Sequence, residues 1–196
     1  MRLVSHAHIN GNGDKFRDEY ARILAKASKK RGYTHCVIGC HGRYIASRQT
    51  MKEVEKIGIT PIRFAELSIT VDNNPRNNSH VAFINLPESP IQGFNGDNKC
   101  HNIKELMPYV KKVGCKLVLC HPKSLAEIKV WSPYIDGYEI MNGLDRYQRN
   151  FKNRDASAYY PKLVQFCGAD YHVWKGMGDM DYFTNLPDNW FGKLYK

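Results

Sequence analysis

Apolar positions along the chain recur in alternating rhythms that predict strand, helix, strand, helix, strand over the first third. Arg2 to Ser5 reads as a short strand around Leu3 and Val4. From Asp14 the spacing becomes helical, with Phe16, Tyr20, Ile23, Leu24 and Ala27 on one face and Lys29-Lys30-Arg31-Gly32 as a basic last turn with a glycine stop. Thr34 to Gly39 is a second strand running into Cys40-His41, Ser47 to Ile57 a second helix closed by Gly58, and Thr60 to Leu67 a third strand holding Ile62, Phe64 and Glu66. Ser68 to Asn78 is polar and turn-rich.

The pattern then repeats. His80 to Leu86 is a strand bounded by Pro87 and Pro90, and Ser89 to Asn98 is a loop. Asn102 to Val113 carries helical spacing up to Gly114, and Lys116 to Cys120 is a continuous apolar run of the kind buried on both faces of a parallel sheet. His121-Pro122 follows it, and Ser124-Leu125-Ala126-Glu127 matches a capping box that opens another helix. Tyr134 to Met141 and Leu163 to Cys167 are the last strands, separated by a basic, aromatic segment from Arg146 to Arg154. The tail, with Trp174, Trp190 and Phe191, is expected to pack back on the domain. Such alternation predicts an α/β fold with a parallel sheet, open or closed, because helical crossovers join parallel strands.

A length of 196 residues without a linker-like stretch fits one domain, residues 1–196, with a sizeable core. No apolar run approaches the roughly 18 residues of a membrane span. The N-terminus lacks the apolar core of a secretory signal, so a cytoplasmic location is expected. The six cysteines form no C-x-x-C pair and read as reduced thiols, several of them in apolar strands. A net charge of +10 favours anionic partners, which leaves nucleic acid, nucleotide and small phosphate ester open beside a merely solvated basic surface.

The polar residues gain meaning from where they fall. In sheets of this kind sites lie at the carboxyl ends of the strands. His6 and His8 follow the first strand, and their i, i+2 spacing in extended chain points both imidazoles to one side. His41 follows the second, Glu66 ends the third, His121 follows the fifth, and Asp170 and His172 follow the last. His80 alone stands at a strand's beginning, and Asp14 lies in the first loop. This nitrogen and oxygen set suits zinc, manganese or iron better than magnesium or calcium. His35, at the opposite strand end, and His101, before a helix, read as structural or surface residues, and Glu139, inside its strand, as structural, while Asn142 just after it could line the site.

The ordered series His6-Ala7-His8 with Asp14, Cys40-His41, Phe64-Ala65-Glu66-Leu67, His80-Val81, Leu119-Cys120-His121-Pro122, Glu139 to Asn142 and Gly168-Ala169-Asp170-Tyr171-His172 resembles the polymerase and histidinol phosphatase (PHP) superfamily of metal-dependent phosphoesterases over nearly the whole chain. The resemblance implies a distorted (β/α)7 barrel with a trinuclear centre of divalent transition-metal ions, two or three of them bound. By that analogy His6, His8, Glu66 and Asp170 hold one ion, Asp14, His41 and His172 a second, and Glu66, His80 and His121 a third, with Glu66 bridging. The acid that often precedes the second-motif histidine is replaced by Cys40, which predicts a looser His41.

Clustered divalent ions make hydroxide available near neutral pH and clamp phosphoryl oxygens, so the expected reaction is phosphoester hydrolysis with Asp170 orienting or deprotonating the attacking water. Arg43, Lys123 and Lys175 fall two or three residues past His41, His121 and His172, where they could hold phosphate oxygens. The expected substrates are nucleotides or nucleic-acid ends, the Arg146 to Arg154 tract suiting base stacking and phosphate attraction. The alternatives are a small-molecule phosphatase of the histidinol-phosphate or sugar-phosphate type and a non-catalytic nucleic-acid-binding module.

Overall fold

The structure is a computed structural model that describes residues 1–9, 18–42, 45–89, 101–144, 156–173, 175, 176, 178 and 180–195. In chain order the elements are β1 (Arg2–Val4), β2 (Ala7–His8), α1 (Asp18–Lys30), β3 (His35–His41), α2 (Arg48–Glu55), β4 (Thr60–Thr70), β5 (Ser79–Ile84), β6 (His101–Asn102), α3 (Ile103–Val113), β7 (Lys116–Leu119), α4 (Leu125–Trp131), β8 (Gly137–Asn142), β9 (Val164–Gly168), β10 (Tyr171–His172) and β11 (Thr184–Asn185). The predicted start of the first helix between Asp14 and Arg17, most of the loop from Ser89 to Asn98, the Arg146 to Arg154 tract and Trp174 lie outside the described residues.

The main sheet runs in the order β11-β1-β3-β4-β5-β7-β8-β9, with β6 added beside β4. It is a nearly closed, barrel-like sheet with four helices among the described residues. Closure is direct at the carboxyl mouth, where β2 pairs parallel with β10 through Ala7 opposite Tyr171 and His8 opposite His172. At the other end the tail intervenes: β11 pairs antiparallel with β1, and Thr184 Oγ1 accepts the Cys167 N–H at 3.0 Å. Trp190 packs edge-on against the buried Phe166. The tail therefore completes the wall as well as covering it.

Besides the short β11, one strand departs from the all-parallel expectation. β5 is antiparallel to both β4 and β7. The link from β4 to β5, residues 71–78, contains only a short 3-10 turn at Pro75–Asn77 and is shorter than the dozen or so residues that a parallel crossover needs. The strict (β/α)7 pattern is thus not reproduced. Reversal of β5 brings its first residues to the end where the other strands finish, with His80 opposite Ser68 and Ala82 opposite Glu66. β4 also runs on to Thr70, so the predicted turn begins three residues later than expected.

The outer face of β4, β5 and β7 packs against α3 and α4 through Leu67, Val81, Leu119, Leu106, Ile128 and Trp131. Helix ends follow the predicted chemistry: Ser47 Oγ accepts the Thr50 N–H, and Gly114 closes α3 in the left-handed conformation. Ser124 caps α4 by accepting the Glu127 N–H at 3.2 Å. Glu127 does not return the bond to Ser124 as a capping box would; its carboxylate takes the Lys123 N–H and the Ser79 hydroxyl, tying α4 to the head of β5. No helix among the described residues is long and apolar enough to cross a membrane.

Candidate metal centre

Eight of the nine predicted donors are described, and the carboxyl mouth brings all eight together. Asp14 lies outside the described residues, as does Arg43. His6 and His8 leave β1 in extended conformation, and their Nε2 atoms converge to 3.0 Å. Both rings face the same two carboxylates: His8 Nε2 lies 3.1 Å from Glu66 Oε2 and 3.3 Å from Asp170 Oδ1. His6 Nε2 lies 3.3 Å and 3.5 Å from the same oxygens.

Glu66 is the hub. Its Oε2 meets His6, His8 and His41, the last through Nδ1 at 3.0 Å. Its Oε1 meets His80 Nδ1 at 2.8 Å and His121 Nε2 at 3.4 Å. The antiparallel course of β5 explains why His80, alone at a strand's start, belongs here. His172 completes the rim, with its Nε2 3.4 Å from His41 Nε2 and its Nδ1 3.1 Å from the Asp170 carbonyl. His41 and His80 are the most open of the group, with 44 and 37% of their side chains exposed, whereas His6 and His8 are buried. Access to the mouth is therefore from the His41 and His80 side.

The backbone is bent to serve this arrangement. His121 and Asp170 both have positive φ, 31° and 45°, a region that costs a non-glycine residue of order 1–3 kcal/mol and persists only where surroundings enforce it. Gly168 is required for a different reason. A Cβ there would lie 1.9 Å from Glu139 Oε1.

That carboxylate is the feature sequence reasoning missed. Glu139 is 1% exposed, its Oε1 is 2.7 Å from His6 Nδ1, and its Oε2 accepts the His121 N–H at 2.8 Å and the Asn142 side-chain amide at 3.0 Å. It fixes two candidate donors at once, His6 through the ring and His121 through the backbone. A buried acid between Tyr138 and Ile140 in an otherwise uncharged strand was the available signal. Asn142 lines the site as expected, through Glu139. His35 lies at the amino end beside Thr34, as predicted. Lys123 and Lys175 are exposed beyond His121 and His172.

Electrostatics follow from the crowding. Burial works against charge on Glu66, yet His6, His121 and His41 hold its carboxyl well below the ordinary range. Burial likewise opposes ionised Asp170, and His6 and His8 overcome it, so its carboxyl is also lowered. His6 is raised well above 6.5 despite its burial, by Asp170, Glu139 and Glu66. His172 moves the other way: burial and the neighbouring His8 push it down to about 4.

Whether the residues fit metal ions can be judged from their unmet valences. Glu66 Oε1, Asp170 Oδ1, His8 Nδ1 and His80 Nδ1 are buried without an aligned hydrogen bond, although Glu66 Oε1 and His80 Nδ1 lie only 2.8 Å apart. Buried polar atoms are ordinarily paired. Three overlapping groups made of imidazole and carboxylate alone draw on these side chains, His6 with His8 and Asp170, His41 with Glu66 and His80, and His8 with His41 and His172, and in each the donor atoms lie within 4.8 Å of one another. The donors suit divalent ions that accept imidazole and carboxylate together.

No family model matches the chain, and no curated protein matches it in sequence. Solved structures do match in fold. One is a proposed metal-dependent phosphoesterase from Bifidobacterium adolescentis, 13% identical with a TM-score of 0.63 over 93% of this chain and 92% of that one. Another is PsfC from Pseudomonas syringae, 17% identical with a TM-score of 0.57, covering 87% and 75% of the two chains. A third is an amidohydrolase from Chromobacterium violaceum with bound sulfate and no metal, 9% identical with a TM-score of 0.55 over 86% and 87%. The chain shares its overall fold with these three structures.

Proposed function

We propose that the chain is a metal-dependent phosphoesterase of the PHP type. The observation that carries this reading is the two-sided use of Glu66, one oxygen toward His6, His8 and His41 and the other toward His80 and His121, as a carboxylate bridging two ions requires. His6, His8 and Asp170 would share one ion with Glu66, His80 and His121 a second, and His41 and His172, with Asp14, a third. Zinc, manganese or iron bound there would lower the pKa of water and neutralise phosphoryl oxygens.

The chain's own residues supply the rest. Asp170, kept ionised by His6 and His8, is suited to accept a hydrogen bond from the attacking water and aim its lone pair at phosphorus. Glu139 keeps His6 and His121 from rotating away. The exposed Lys123 and Lys175 would meet phosphate oxygens that do not react. The net charge of +10 favours an anionic substrate, such as a nucleotide or a nucleic-acid end.

The test is to strip the protein of metal, restore zinc, manganese or iron(II) singly, and assay phosphate release from nucleotides, short oligonucleotides and sugar phosphates. Metal-dependent release is expected, stronger at low salt for the oligonucleotides because contacts to a phosphate backbone weaken as salt rises. Release confined to sugar phosphates and indifferent to salt would replace the nucleotide reading with the small-molecule one. No release from any class would overturn the phosphoesterase reading.

A further inference from the structure

The floor of the mouth holds one more donor type. Cys120 follows β7 and is 2% exposed, and its N–H donates to the His80 carbonyl at 2.9 Å, which sets it beside the head of β5. Its Sγ, a ring nitrogen of His6 and a carboxylate oxygen of Glu66 all lie within 4.8 Å of one another. Donors bonded tetrahedrally to one ion at about 2.0–2.3 Å stand about 3.3–3.8 Å apart, so a closure of at most about 1.5 Å brings all three onto one ion.

Two further observations point to a ligand. Glu66, itself 2% exposed and one of the three side chains in the group, keeps Oε1 without an aligned hydrogen bond even though His80 Nδ1 lies 2.8 Å away. The thiol makes a long contact of 3.7 Å to the Val118 carbonyl two residues back, and its electrostatic neighbours are His6, Glu139 and Glu66, side chains of the centre itself. Cys36 and Cys115 are equally buried, yet neither joins a donor group among the described residues.

We propose that Cys120 Sγ is a metal ligand, sharing an ion with His6 and Glu66 at the base of the centre. This rests on the metal-centre reading above and goes beyond it by adding a soft sulfur to a set otherwise made of nitrogen and oxygen. Thiolate sulfur selects zinc, cobalt or iron(II) over manganese and magnesium, so the centre's metal class follows from one side chain. The thiol proton leaves for solvent as the metal–sulfur bond forms.

The experiment is cobalt(II) reconstitution of the stripped protein, read by absorption. Cobalt bound to imidazole and carboxylate gives weak visible bands, and cobalt bound to sulfur adds an intense near-ultraviolet charge-transfer band. The wild-type protein is expected to show both, and Cys120→Ser to lose the near-ultraviolet band while keeping the visible ones. X-ray absorption of the zinc-loaded wild type, which needs no variant, is expected to show a sulfur neighbour at about 2.3 Å. Visible bands without the charge-transfer band, a band that survives Cys120→Ser, or no sulfur neighbour on zinc would overturn the proposal and leave the rest of the centre standing. Absence of any cobalt band would overturn both.

Discussion

Glu139 Oε1 sits 2.7 Å from His6 Nδ1, and this contact turns His6 Nε2 toward Glu66 and Asp170. A carboxylate behind an imidazole fixes its tautomer and ring angle and raises its basicity as a ligand. Glu139→Gln keeps an oxygen for the His121 N–H and loses the charge behind His6. Metal affinity is expected to fall about 10–100-fold. Competition against a chelator of known affinity measures it, and an unchanged affinity would show that His6 is held by packing alone.

Gly168 makes room for that same carboxylate. Its added Cβ would meet Oε1 at 1.9 Å and Cδ at 2.6 Å, and the carboxylate cannot withdraw without releasing His6, His121 and Asn142. Gly168→Ala is therefore expected to destabilise the fold by about 1–3 kcal/mol, in the range of overpacked sites. It should also lower metal content. The denaturant midpoint reads the first effect and elemental analysis the second; a stable variant with full metal would mean that β8 and β9 can part cheaply.

The opposed shifts of the histidines give a signed pH effect. His6 and His121 are raised above 6.5 in the metal-free fold, where carboxylates outweigh burial. The stability they contribute is complete below pH 6.5 and lost as pH rises through their folded values. His172, lowered to about 4 by burial and His8, resists protonation, so its contribution is lost as pH falls from 6.5 toward 4. A metal that takes His6 must therefore displace the proton that these carboxylates favour on its ring. Zinc uptake by Cys120→Ser, which has no thiol proton to release, measured by calorimetry in buffers of different ionisation enthalpy is expected to give different heats, corresponding to at least one proton released. Equal heats would mean that His6 is already neutral.

Much of the site was legible because strand ends are a local property. An apolar run that stops at a histidine or acid marks a mouth residue without knowledge of the neighbours, and His6, His8, His41, Glu66, His121, Asp170 and His172 were found that way. His80 obeyed no such rule, since the direction of β5 depends on its pairing with β4 and β7 and not on its own residues. Glu139 was hidden for a related reason. An acid inside a strand reads the same whether it faces solvent or a histidine 133 residues away in sequence. The two-residue strands β2, β10 and β11, which close the wall, carry too little periodicity to be seen and exist through tertiary contacts. Legibility ended where register and long-range pairing took over.

The arrangement around Glu66 predicts unequal losses from single substitutions. His41 is the most exposed donor and shares only Oε2 of Glu66, so His41→Ala is expected to cost one ion and spare those held by His6, His8, His80 and His121. Glu66→Gln replaces one oxygen with an amide nitrogen that does not bind metal and removes the charge that both histidine sets face. Its metal content should therefore fall further than that of His41→Ala, by at least two ions from a filled centre, with activity abolished in step. His6→Ala and His8→Ala should lose metal and activity together while far-ultraviolet circular dichroism stays that of the wild type. Elemental analysis of the four variants, purified in parallel, ranks them. A Glu66→Gln protein that keeps as much metal as His41→Ala would show that the ions are held separately and that the carboxylate does not bridge them.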